Sequence, residues 1–374
     1  MKRLLLAFLS ASTLAFSASA QQHSIADGVI VTNDLFNTSM VEGVSCFRIP
    51  AIVTAKNGDL IAAIDERVPS CGDLIYSRDI NIVIRRSKDN GKTWGEIERA
   101  IDFEDGKAAS DPSLIVDSKT GDIFLFYNYM DHDLSKGEFR LHVAKSTNNG
   151  KTWGEPVDIT SQIAKPEWKN DFKFITSGRG IYTSDGRILH TMVNLKNGLH
   201  VFGSDDHGKS WYLIDTAITP GDESKIIELA DGSWMINSRV NGQGYRHSHI
   251  STDEGKTWIS THEKELIDPS CNASIIRYSS KAKGDDKDRL LFSNAASANG
   301  RQNLTVRVSY DEGKTWNEGK VVFTGGSAYS SLTVLKNGDI AVFFEKDNYK
   351  SNEVTVFTLD WLTDGADKGI KPKK

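Results

Sequence analysis

The sequence predicts an all-β, six-bladed β-propeller of four-stranded antiparallel blades, and three observations carry that expectation. The first is a phrase, Ser-x-Asp/Asn-x-Gly-Lys-Thr/Ser-Trp, present five times at residues 87–94, 146–153, 204–211, 251–258 and 309–316. Its copies start 59, 58, 47 and 58 residues apart, a period that signals propellers and solenoids. The second is a set of glycine hairpin signals at Asn57-Gly58, Thr120-Gly121, Asp185-Gly186, Asp231-Gly232 and Asn337-Gly338, each of which turns one strand back on the next. The third is a β-rich run before each phrase, at 81–86, 141–145, 199–203, 247–250 and 303–308. In the phrase, the acidic or amide side chain can bond backbone N–H groups, glycine takes a positive φ and tryptophan packs the turn onto the blade.

In chain order, residues 1–20 read as a cleavable signal sequence. Lys2 and Arg3 lead a short apolar stretch, and Ala18-Ser19-Ala20 supplies the small-residue cleavage pattern. No cysteine follows that point to support a lipid anchor, and no later apolar run approaches the length of a membrane span. The expected location is secreted or periplasmic, without a membrane anchor. Cleavage would remove two positive charges and take the net charge from −5 to −7; a mildly acidic chain with no basic block is a poor nucleic-acid binder. A single propeller is expected over residues 21–364, as a monomer, followed by a disordered Lys-rich tail at 365–374.

Within the propeller, the unit around 271–295 repeats the hairpin with a long charged connection at 281–288, and the last unit carries a hairpin and third strand but no eight-residue phrase. Hairpins therefore count six units where phrases count five. Residues 24–32 are available as the fourth strand of the last unit, closing the ring. Three cysteines, Cys46, Cys71 and Cys271, are too few for a disulfide framework; a Cys46–Cys71 bridge is left open. No Cys/His cluster has zinc spacing, and His247 and His249 read as alternate residues of a strand. Neither a metal nor an organic cofactor is expected.

Alternating chain direction places the eight-residue turns on one face of the disc and the start of strand one, the end of strand two and the following loop on the other. Polar residues collect at this second edge. Arg48 precedes the first strand of blade one, Arg67 ends its second strand, and Asp73 lies in the next loop, with Asp79 as its competitor. Asp111 precedes blade two's first strand, Glu223 begins blade four, Arg239 ends that blade's second strand, Arg301 precedes a third strand of blade five, and Tyr329 precedes blade six. Glu228 and Asp231 fall nearer the opposite face and read as turn residues. Trp168, in the insertion 165–173, is either a wall of the site or loop packing.

At these residues the chain resembles the bacterial exo-α-sialidases (neuraminidases) of glycoside hydrolase family 33. The resemblance rests on Arg48-Ile49-Pro50, the repeated Asp-box turns, Glu223 and Arg239 sixteen residues apart, Arg301-Gln302-Asn303-Leu304-Thr305 and Ala328-Tyr329-Ser330. It implies that Arg48, Arg239 and Arg301 grip a sialic acid carboxylate, which guanidinium forks suit. It implies Tyr329 as nucleophile with Glu223 as its base, and Asp73 as the acid/base. Arg67 and Asp111 would meet the 4-hydroxyl and N-acetyl region. The chemistry is coherent, because the anomeric carbon bears a carboxylate that would repel an anionic nucleophile, whereas a phenol activated by a neighbouring carboxylate avoids that charge. The resulting expectation is a retaining exo-α-sialidase acting on sialylated glycans and glycoconjugates; the alternatives are a trans-sialidase or a non-catalytic sialoglycan-binding propeller.

Overall fold

The computed structural model describes residues 28–370. The predicted signal sequence and residues 371–374 lie outside them. The described chain is an all-β propeller, built from antiparallel four-stranded units that follow one another in sequence. The first is typical: Cys46–Thr54, Leu60–Val68, Asp79–Ser87 and Glu98–Ile101 pair in that order. All five expected third strands form, each extended by one or two residues at either end, as in Asp79–Ser87 and Gln302–Ser309.

Sheet stacking explains why the second strands carry almost no polar alternation. Leu60–Val68 is buried at eight of its nine positions and Ile123–Asp131 throughout, because both faces of a blade meet a neighbouring blade. The core accordingly lies in layers between blades. Ile61, Ala63 and Ile84 pack on Leu114, Leu125 and Tyr127 of the next sheet, while Ile52, Ala62 and Val83 pack on Ala341, Phe343 and Val356 of the last.

The eight-residue turns join these layers. In the first, Ser87 Oγ donates to Asp89 Oδ1 (2.8 Å) and accepts from Gly91 N (2.9 Å), while Asp89 accepts from Thr93 N and Oγ1 at 2.9 and 2.6 Å. The other four copies repeat the Ser–Gly and Asp/Asn–Thr/Ser bonds. Positive φ is needed not only at glycine but also at the residue before it, for example Asn90 (62°) and Gly91 (82°). A β-carbon on Gly91 would meet Val356, on Gly150 Ile61, on Gly208 Phe124 and on Gly313 Met235. Each of these turns thus presses on the blade before its own. Where a sixth turn would stand, the short helix Leu359–Leu362 is capped by Thr358, whose Oγ1 accepts from Trp361 N (3.0 Å), and buries Leu359 and Leu362 beside Ile276 and Leu291.

Three expectations need correction. Among the described residues hydrogen bonding gives five sheets rather than six separate ones. The cause is Lys320–Val334, fifteen residues without a break, which pairs with Gln302–Ser309 at one end and Ile340–Lys346 at the other and so fuses two units into a seven-stranded sheet. The closing strand exists but runs Val29–Asn37, antiparallel to Ser351–Phe357, later in sequence than 24–32. Finally, residues 365–370 are not a loose tail. Asp367 is buried and receives Arg289 Nε and Nη2 at 2.8 and 2.9 Å, and Ile370 N donates to Tyr278 Oη. One further irregularity is that the third unit's inner strand is interrupted, with Gly178–Arg179 leaving it to pair in parallel with Ser113–Leu114 of the second.

Candidate active site

Register defines two unlike faces. In the first unit, Leu60 pairs with Ser87 at the end that carries the hairpin and the eight-residue turn, and Val68 pairs with Asp79 at the opposite end. At that opposite end the innermost strands are bulged. Pairing shifts between Arg48 and Ala51, between Ser110 and Ser113, and between Ser327 and Ser330. Ile49 and Asp111 take positive φ there, at 69° and 65°, which is unusual for a β-branched residue such as isoleucine. A bulge re-aims the side chain beside it, and these three turn Arg48, Asp111 and Tyr329 toward the axis.

Tyr329 is the centre of the cluster. Its Oη donates to Glu223 Oε2 (2.7 Å) and accepts from Arg239 Nη1 (3.2 Å), and Arg239 Nη1 also donates to Glu223 Oε2 (2.5 Å). The guanidinium carbons of Arg48 and Arg301 stand 5.6 and 5.4 Å from the Tyr329 ring centroid. Three arginines from three different units therefore surround one phenol. Burial, then the Glu223 charge, pushes the Tyr329 hydroxyl well above its ordinary value, against the opposing pull of Arg239 and Arg48. The phenol is neutral at rest, with its proton already directed at a carboxylate.

A second group lies to one side. Asp73, with 67% of its side chain exposed, accepts from Arg67 Nη1 (2.8 Å) and Arg48 Nη1 (3.4 Å). Burial works to raise the Asp73 carboxyl, but Arg67, Arg48 and Arg301 outweigh it and hold it below the usual range. Asp79 instead accepts from Asn81 Nδ2 and meets none of these arginines, so the structure groups Asp73 with the site and leaves its competitor out. Asp111 accepts from Asn128 Nδ2 (3.0 Å); burial and the neighbouring Asp65 push it up to about 7.

Two carboxylates that the sequence reading missed hold this arrangement. Glu345, completely buried, accepts from Arg48 Nε (3.1 Å), Ile49 N (2.9 Å) and Tyr329 N (3.1 Å). It thereby ties the bulges of the first and last units together beneath the site. Its sequence signal is a lone acid in the apolar run Ile340–Lys346, where an unpaired charge would be prohibitive. Asp65, also fully buried, accepts from Arg67 Nε and Nη2, Ser110 Oγ and Asp111 N. It lies two residues before Arg67 and so on the same strand face. Below Glu223, buried Lys225 donates to Asn272 Oδ1 (2.6 Å), and burial lowers its amine to about 7.

Arg301 donates to Tyr349 Oη (3.1 Å) and Ser270 O (3.1 Å), and Arg48 stacks over the Tyr349 ring at 4.2 Å. Of the eight predicted site residues, all are brought to this face. Trp168 is not: it is buried in an apolar cluster with Ile163 and Trp211 and serves loop packing. Glu228 and Asp231 bond Ser184 and Ser233 at the other face, as turn residues do. A cavity of about 560 Å³ also lies on that far side, beside Arg179, Tyr182 and Glu228. It holds no comparable set of opposed charges, and converging charge marks a site better than volume does.

Cys46 and Cys71 form a disulfide with Cα atoms 5.6 Å apart, a separation usual for such a bond. Cys271 is free and buried beside Tyr329.

Known proteins resemble the chain in sequence and fold. The chain is 35% identical over 347 residues to a sialidase of Micromonospora viridifaciens, covering 86% of this chain and 53% of that protein. It is 32% identical to a sialidase of Bacteroides fragilis, covering 80% and 60%. The chain thus spans between half and two thirds of these relatives. Among solved structures, Hadza microbial sialidase Hz136 matches with a TM-score of 0.77 at 29% identity, covering 86% of this chain and 67% of that one. An intramolecular trans-sialidase from Ruminococcus gnavus shares the fold, with a TM-score of 0.76 at 20% identity over 90% of this chain and 99% of that one. Residues 76–342 match the BNR repeat-like domain; the chain belongs to that family.

Proposed function

We propose that this chain is a retaining exo-α-sialidase, which hydrolyses terminal α-linked sialic acid from glycoproteins, glycolipids or oligosaccharides through a tyrosyl-enzyme intermediate. The observation that carries this reading is the Tyr329–Glu223 hydrogen bond of 2.7 Å set among Arg48, Arg239 and Arg301. Three guanidinium groups around a neutral phenol suit a substrate that brings its own carboxylate to the reacting carbon. The relatives' sialidase names support the same substrate class.

In the first step Tyr329 Oη gives its proton to Glu223 and bonds the anomeric carbon. The glycosidic C–O bond breaks, and Asp73 protonates the departing oxygen. In the second step Asp73 takes a proton from water, water oxygen bonds the anomeric carbon, and the Tyr329 oxygen leaves with the proton held by Glu223. Asp73 must be protonated to begin, yet it rests ion-paired to Arg67 and Arg48. An arriving carboxylate competes for Arg48 and places negative charge near Asp73. Both effects raise its proton affinity, so the acid is armed by the substrate. Arg67 and Asp111 would meet the sugar's hydroxyl and N-acyl groups.

The same reading treats the seven-stranded sheet as two blades sharing Lys320–Val334, which makes six; six apolar layers between blades support that count. It also takes the protein as a secreted or periplasmic monomer. The chemical test is trapping with a 3-fluoro sialosyl fluoride followed by peptide mass spectrometry. A sialosyl adduct on Tyr329 is expected; an adduct on another residue, or none despite inactivation, would sink the assignment.

A further inference from the structure

We propose that the Cys46–Cys71 disulfide is a positioning device for Asp73, so that proton delivery to the leaving group depends on the bridge being oxidised. The inference rests on the acid/base role given to Asp73 above. A catalytic acid must be held to within about half an ångström of its working position. Asp73 stands instead on the exposed loop between Leu60–Val68 and Asp79–Ser87, the kind of segment that holds side chains least well.

The loop is tied at both sides of this residue. Upstream, Cys46 and Cys71 sit two residues before Arg48 and Asp73 respectively, and those two side chains meet at 3.4 Å. The covalent link therefore sets the distance between a carboxylate-binding arginine and the acid. Cys46 pairs across the strands with Arg67, whose Nη1 donates to Cys71 O (3.0 Å), Gly72 O (3.1 Å) and Asp73 Oδ1 (2.8 Å). Downstream, Leu74 is buried with Ile80, Met130 and Phe139, and its carbonyl bonds the ring of His132 (2.9 Å).

Without the bridge, the stretch from Val68 to Leu74 is held by the Arg67 fork, the long Arg48–Asp73 contact and single hydrogen bonds from Ser45 to Pro69 O and from Ser77 to Val68 O, and Arg67 is already shared with buried Asp65. Cys46 lies in the sheet and is buried, whereas Cys71 is on the surface. A dithiol can reach the bond without unfolding a blade. It delivers two electrons and two protons to the sulfurs and becomes a cyclic disulfide itself.

The experiment compares kcat/KM on a lactose-linked sialoside with kcat/KM on an umbelliferyl sialoside. The lactose oxygen is a poor leaving group that needs acid assistance, and the umbelliferyl oxygen needs little. The Cys46→Ser/Cys71→Ser double variant, and wild-type protein reduced with dithiothreitol below its melting temperature, should lose about tenfold on the lactoside. Their loss on the aryl substrate should stay under about threefold, and reoxidation of the wild type should restore the lactoside rate. Equal losses on both substrates would show that the bridge acts otherwise than through the acid, and no loss on either would show that Leu74 and Arg67 suffice; each overturns the proposal. If the double variant melts early, the reduced and reoxidised wild type decides. Wild-type protein that cleaves neither substrate would overturn the proposed function together with this inference, whereas an active wild type whose bridge is irrelevant overturns the inference alone.

Discussion

The two faces of the disc treat a carboxylate in opposite ways. On the turn face, Asp89, Asp206 and Asp253 each accept several hydrogen bonds within a single local turn, and the carboxyls of all three fall to about 2. On the bulged face, Asp65 and Asp111 are buried around one guanidinium and pushed upward, to about 6 and 7. The turn face satisfies these carboxyls from within a few residues of chain, a solution that four of the five turns make with Asp and the second with Asn148. The other leaves charges dependent on partners hundreds of residues away, and that dependence is what lets a substrate alter them. The repeat builds the scaffold, and the departures from it hold the charges that a ligand can perturb.

The largest expected effect isolates the reactive face. Tyr329→Phe should reduce sialoside turnover by about 10³-fold or more while leaving the melting temperature within a degree or two; retention of even a tenth of wild-type turnover would contradict the nucleophile assignment. Next comes a residue that serves both structure and site. Glu345→Ala leaves Arg48 and two backbone N–H groups without their buried acceptor, and breaking such a pair costs about 3–5 kcal/mol. Denaturant unfolding should show that loss, and activity should fall with it.

On the turn face the effect should be structural alone. Gly208→Ala forces a β-carbon into the Phe124 ring at a φ of +77°, which should cost about 1–3 kcal/mol, with kcat/KM per folded molecule unchanged. A catalytic loss here would blur the division between the faces. The smallest effect is in pH dependence, and its sign differs by face. The lowered turn carboxyls add stability that is present above about pH 4 and lost as pH falls through about 2. The raised Asp65 and Asp111 add stability present below about pH 4 and lost as pH rises through about 6 to 7. Melting temperature against pH should therefore decline at both ends, and Asp111→Asn should flatten only the upper decline.

Much of this was legible in the sequence, and the omissions have a common cause. The turns, hairpins and third strands are local patterns, so spacing and glycine placement revealed them. Arg48, Arg67, Glu223 and Arg239 were readable because each sits near a predictable strand end, and Asp73 because it lies in the loop that follows Arg67. What escaped was non-local. Asp367 looked like part of a loose tail because its partner, Arg289, is 78 residues away. Glu345 is meaningful only beside Arg48, 297 residues distant. The fused seven-stranded sheet escaped because nothing in residues 320–334 marks a break, and the chain simply does not make one.

The strand Val29–Asn37 has a kinetic consequence. Thr32 and Thr355 bond each other across 323 residues of chain, and closing a loop of that length costs about 5 kcal/mol in entropy. The strand that leaves the ribosome early must wait for the last unit before it finds its partner. Until then Ser351–Phe357 presents an open edge of unpaired backbone groups, the feature most prone to join another chain. Late docking of Val29–Asn37 is thus the step at which folding and aggregation compete, and dilution or a chaperone that shields this edge should govern the yield of the folded protein.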